Sequence, residues 1–150
     1  MWNKKKSLIL SKWCVVIFML LLLGVVAVCP WLVQVMVIYA DPALTEAKQP
    51  LFMATIYIGA LPAAYLLYLM LRLLGCIERG QVFIEDNVEI LRRISWSCFV
   101  GAVIALVSVV YYLPWLFLAV AAAFMGLIVR VVKNMVAQAV ELQDEVDCVI

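Results

Sequence analysis

Between Arg93 and Arg130 the chain runs for 36 residues without a charged side chain. As one α-helix, at 1.5 Å per residue, this run would be about 54 Å long, nearly twice the ~30 Å hydrocarbon core of a bilayer. It must therefore fold back on itself. The strong punctuation inside it is Tyr111-Tyr112-Leu113-Pro114-Trp115, because proline disfavours helix at the preceding residue and suits the first turn of a new one. The run reads as two spans joined by a tight hairpin, with its aromatic rings at headgroup depth. Three spans with one re-entrant segment is the alternative.

The same criterion counts the rest of the chain. Residues 13–40 carry no charge, and residues 51–71 lie uncharged between Lys48 and Arg72. The expected fold is all-α: an integral membrane four-helix bundle forming a single transmembrane domain over 1–150. Its spans lie at about 13–39, 51–74, 94–112 and 115–137, with a loop at 75–93 and a tail at 138–150. Composition agrees, since 69% of the residues are hydrophobic and 14% charged, far from the balance of a water-soluble domain. The basic opening Lys4-Lys5-Lys6 looks like a secretory signal, but the apolar run behind it exceeds the roughly 7–15 residues of a cleaved one, so the segment is read as a retained anchor.

Charge also sets the orientation. Lys4, Lys5, Lys6, Lys12, Arg72, Arg79, Arg92, Arg93, Arg130 and Lys133 fall on one side of the four-span layout, and Lys48 alone falls on the other. The positive-inside rule then places both termini in the cytoplasm. Histidine is absent and the net charge is +1, so the usual proton shuttle and nitrogen metal ligand are lacking and no global field points to nucleic acid. Apart from Arg72, Arg130 and Lys133 toward their basic ends, the spans hold no Asp, Glu, Lys or Arg of the kind that pumps and coupled transporters use. Five cysteines without a C-x-x-C pair give neither a disulfide framework nor a metal site. No catalytic, cofactor-binding or metal-binding residue is assigned, and Ser95, Ser97 and Cys98 lack an evident base.

Helices in lipid associate through close backbone approach at small residues. Gly59/Ala63, Ala60/Ala64, Ser97/Gly101/Ala105/Ser108, Ala119/Ala123 and Ala122/Gly126 form such stripes, serving either packing within one bundle or a homo-oligomer. Pro30 and Pro62 fall inside spans one and two, where proline removes a hydrogen bond and tends to kink a helix.

Two segments on the basic side carry pattern beyond apolarity. In the first, Gly80 can turn the chain out of span two through positive φ. Asp86 and Glu89 have capping-box spacing, Glu89 and Arg93 form an i,i+4 pair, and Val88, Leu91 and Ile94 share a face. This predicts a short cytoplasmic amphipathic helix between spans two and three. In the second, Ile128, Val131, Val132, Met135, Ala139 and Leu142 recur at helical spacing opposite Arg130, Lys133, Asn134, Gln138, Glu141 and Glu145, so span four is expected to leave the membrane as an amphipathic helix.

The stretch Ile77-Glu78-Arg79-Gly80-Gln81-Val82-Phe83, followed by Asn87, Leu91, Arg92 and Ile94 and by Glu145-x-Asp147 before an apolar end, resembles DUF2975, small four-span bacterial membrane proteins with no assigned activity. Ile84 departs from the family pattern, in which a capping Ser or Thr is common. The resemblance implies no catalytic residue. Family members are often encoded beside a small helix-turn-helix regulator, which implies a regulatory partnership. The function expected is non-enzymatic, in the bacterial cytoplasmic membrane. Glu78, Arg79, Gly80, Phe83, Asn87, Arg92 and Arg93 are the candidate contacts for a cytoplasmic regulatory protein; direct nucleic-acid binding is not expected. An oligomeric pore or toxin-like membrane protein is the alternative.

Overall fold

A computed structural model describes residues 3–39 and 48–149. Within them lie four helices, α1 (Lys4–Tyr39), α2 (Gln49–Glu78), α3 (Glu85–Ser108) and α4 (Trp115–Val149). Each is long and apolar enough to cross a bilayer. Most of the segment expected to join spans one and two, from Asp41 to Pro50, lies outside the described residues, as do Met1, Trp2, Ala40 and Ile150.

The hairpin forms where the sequence places it. α3 ends at Ser108 and α4 begins at Trp115. The amides of Leu116 and Phe117 donate to the carbonyls of Leu113 and Pro114, so Pro114 starts the new helix where its missing amide costs nothing. Pro30 and Pro62 lie within α1 and α2, which stay helical through both.

Packing runs in chain order, α1 against α2, α2 against α3, and α3 against α4. α3 is the core helix: 39% of its most apolar window is buried inside the protein, against 6% to 11% in the others. The remaining apolar surface, such as Phe18, Leu23, Val107 and Phe117, stays exposed. Exposure of this kind is stable in lipid, where tails accept leucine as readily as a protein core does.

Two buried clusters hold the helices at opposite ends. At the hairpin end Cys29 and Val33 of α1 meet Phe52 of α2. The Phe52 ring packs edge-on to Tyr111 and Tyr112, both at 5.0 Å between centroids. Thr55 bonds Ser108 Oγ at 3.0 Å and also the Tyr111 hydroxyl, while Ser108 Oγ donates to its own Ile104 carbonyl at 2.8 Å. These hydroxyls bond both across helices and back to the backbone, which satisfies them where water is excluded. At the basic end Leu69 of α2 packs on Ile90 and Ile94 of α3, with Val129 of α4 beside them.

Two expectations need correction, and the packing of α4 adds a further finding. The amphipathic segment is helical, but it is the first turns of an unbroken α3 rather than a separate helix, because Leu91 and Ile94 are buried between neighbouring helices. Asp86 is not a cap: the N-cap is Ile84, with no side-chain cap bond. In α4 the stripe Val131, Met135 and Leu142 is 59%, 65% and 62% exposed, while Gly126, Val129 and Val140 turn inward. Val131 and Met135 lie within the expected span, where lipid takes large apolar side chains as well as protein does, so the inward face there goes to small or branched residues that allow close approach; Leu142 lies in the tail beyond it.

The small residues divide into two uses. Gly59, Gly101 and Ala105 line an apolar cavity of about 280 Å³ that all four helices border, with Val25 and Leu118 among its walls. Gly126 instead marks a close approach, since a Cβ there would lie 3.1 Å from the Phe99 ring and 3.2 Å from Cys98 Cβ, whereas one at Gly101 meets nothing within 4 Å. Gly101→Ala is expected to stabilise by about 0.5–1 kcal/mol through backbone entropy. Gly126→Ala is expected to destabilise by about 1–3 kcal/mol through overpacking against the Phe99 ring and Cys98 Cβ of α3. Thermal unfolding in mild detergent should shift in opposite directions for the two.

Candidate functional site

The patterned residues converge at the end of the molecule where α1 begins, α2 ends, α3 begins and α4 ends. The turn from α2 to α3 occupies residues 79–84. Gly80 holds it open at φ +79°, the only positive φ among the described residues. Its amide donates to the Ile77 carbonyl at 3.0 Å, and that of Gln81 to the Cys76 carbonyl at 3.1 Å. These bonds terminate α2 in the left-handed manner that glycine supplies without strain.

Asn87 does what the missing Ser or Thr cap does not. Its side chain is buried, and Nδ2 donates to the carbonyls of Gln81 and Val82, both at 2.7 Å. The first turn of α3 therefore grips the preceding loop by its backbone. Sequence spacing singled out Asn87, but not for this bond. Removing it takes two hydrogen bonds from the loop, each worth about 0.5–1.5 kcal/mol net. Asn87→Ala is expected to lower the unfolding temperature and to speed proteolysis at residues 79–84, while Arg79→Ala leaves both unchanged.

The other candidates separate into internal and outward roles. Glu78 is engaged within the chain, accepting from the Lys12 ammonium of α1. Sequence reasoning missed this pair, because its members stand 66 positions apart, with Lys12 read as a topology charge and Glu78 as a partner contact. Arg93 Nε donates to Glu89 Oε1 at 3.3 Å, the expected i,i+4 pair, and its Nη1 donates to the Tyr65 hydroxyl of α2 at 3.4 Å. Arg92 lies 3.5 Å from the other Glu89 oxygen. Arg79 and Phe83 are exposed at the rim of the turn.

The hydrogen bond and then the charge of Lys12 hold the Glu78 carboxyl below its usual range, with Arg79 adding a smaller effect. A depressed folded-state value means that the link between α1 and α2 is fully present above the ordinary carboxylate range. It is lost as pH falls through the lowered value. A carboxyl-carbon NMR titration should show Glu78 titrating below the ordinary carboxylate range, and Lys12→Gln should return it toward that range.

Two clefts flank Arg92. On one side Glu85, Val88 and Glu89 of α3 face Ala137, Val140, Glu141 and Asp144 of α4. On the other, Arg92, Ser95 and Trp96 face Arg130 and Lys133. Ser95 is buried and donates to the Gly126 carbonyl at 3.0 Å, so its hydroxyl is spent on joining helices.

Four apolar helices, with their cations gathered at one end, define a small multi-pass membrane protein. A family model described as "Protein of unknown function (DUF2975)" matches residues 8–150, nearly the whole chain. The chain belongs to that family. No curated protein and no solved structure matches it.

Proposed function

We propose that this is a non-enzymatic protein of the bacterial cytoplasmic membrane, with both termini in the cytoplasm, that acts by presenting the 79–93 segment to a cytoplasmic regulatory protein. The observation that carries this reading is the Asn87 grip. A turn held by two 2.7 Å bonds displays Arg79, Phe83 and Arg92 on a fixed frame, and preorganised contact residues lose less entropy on binding. The inward position of Gly59, Gly101 and Ala105 favours this reading over a pore assembled through those residues. A helix-turn-helix regulator is the class of partner that the family resemblance implies.

The test combines topology with capture. In intact cells an impermeant maleimide should label Leu113→Cys and leave Cys148 unlabelled; labelling of Cys148 from outside would refute the orientation. A helix-turn-helix regulator of the native host should co-purify with the protein, and the triple variant Arg79→Ala/Phe83→Ala/Arg92→Ala should lose it while unfolding at the wild-type temperature. Equal retention by that variant would remove the contact assignment.

A further inference from the structure

The pocket between Arg92, Ser95 and Trp96 of α3 and Arg130 and Lys133 of α4 encloses about 350 Å³. The register of the two helices creates it. At the Ser95–Gly126 hydrogen bond the helices are in close contact, because any side chain at position 126 would meet Phe99 and Cys98. One turn further toward the basic end, Arg92 lies three residues before Ser95, while Arg130 and Lys133 lie four and seven residues after Gly126. Antiparallel packing brings all three cations to the same seam.

Three positive charges line this pocket, and no carboxylate does. Glu89, the carboxylate paired with Arg92, is shared with Arg93. Among the described residues neither Arg130 nor Lys133 has an ion-pair partner. Cations converging in this way repel one another until an anion joins them, and arginine forks match the oxygens of a phosphate group in paired hydrogen bonds. The Ser95 proton is committed to Gly126, which leaves the two guanidinium groups and the Lys133 ammonium as the donors.

Depth narrows the chemistry further. Arg93 and Arg130 bound the 36-residue uncharged run, so the pocket sits where hydrocarbon gives way to headgroups. Trp96 on its wall is 60% exposed and packs edge-on to Phe99 at 6.5 Å, the placement of an interfacial aromatic. Basic pockets between helices at this level suit anionic lipid headgroups. We propose that this seam pocket binds the phosphate group of an anionic ligand, supplied either by a membrane phospholipid or by a free phosphate. The site shares Arg92 with the regulator contact, but Arg130 and Lys133 take no part in that reading, so a variant at those two positions tests the pocket separately.

The full-length protein in neutral detergent, followed by thermal unfolding, is titrated separately with phosphatidylglycerol, phosphatidylcholine and inorganic phosphate. Phosphatidylglycerol is expected to stabilise at least tenfold more tightly than phosphatidylcholine. The variant Arg130→Gln/Lys133→Gln should lose at least tenfold of that affinity, whereas Lys4→Gln/Lys5→Gln, which removes the same charge elsewhere, should retain it. Stabilisation by phosphatidylglycerol alone assigns the lipid as source, and equal stabilisation by inorganic phosphate assigns the free anion. No stabilisation by either overturns the proposal, as does equal affinity in both charge variants. Should the Arg130→Gln/Lys133→Gln protein fail to fold, the wild-type salt dependence decides. Affinity must collapse at about 1 M salt, where the Debye length is about 3 Å, and insensitivity to salt overturns the proposal.

Discussion

The hydrocarbon interior sets the terms for every other feature of this protein. Inserting one Asp, Lys or Arg at the centre of a span costs roughly 2.5–3.5 kcal/mol even on the most lenient scale. The chain meets that constraint by withdrawing its charges from three long intervals and gathering ten of its eleven cations at one end of the helices. Backbone polar groups obey the same rule. The described residues hold four long helices, which satisfy their own amides and carbonyls without water.

Within that medium, apolarity no longer selects what packs against what. The most apolar stripe of α4 is turned outward, and its contact with α3 is made instead by Gly126, Val129 and Val140 together with the bond from Ser95 to the Gly126 carbonyl. α3 becomes the core helix because it carries the residues that profit from burial, among them Ser97, Ala102, Ala105 and Ser108. The Thr55–Ser108–Tyr111 cluster at the hairpin end has the same logic, with hydroxyls paired where water cannot reach them.

This separates what was legible in the sequence from what was not. Span number, the Pro114 hairpin and the Gly80 turn depend on charge-free length and on backbone restrictions, both local properties. Which face of α4 turns inward was not read from the sequence, because in lipid apolarity does not select the face that packs. The capping-box reading of Asp86 failed because the helix starts at Glu85 behind Ile84, and the loop is secured by Asn87 instead. Lys12–Glu78 and the Arg92–Arg130–Lys133 grouping depend on tertiary register, which spacing along one helix does not encode.

At the basic end the two clefts beside Arg92 differ in sign, although the same pair of helices forms both. Toward the hairpin the seam presents arginine and lysine, and one turn outward it presents Glu85, Glu89, Glu141 and Asp144. Arg92 borders both clefts and is paired with Glu89, so the charge state of one cleft is coupled to the other through a single guanidinium. An anion drawn into the basic pocket competes with Glu89 for Arg92. A cationic partner drawn to the acidic cleft competes with Arg92 for Glu89, and in doing so releases the guanidinium toward the pocket. Under the proposed anion binding, whatever coupling Arg92 carries between the two clefts acts equally in both directions.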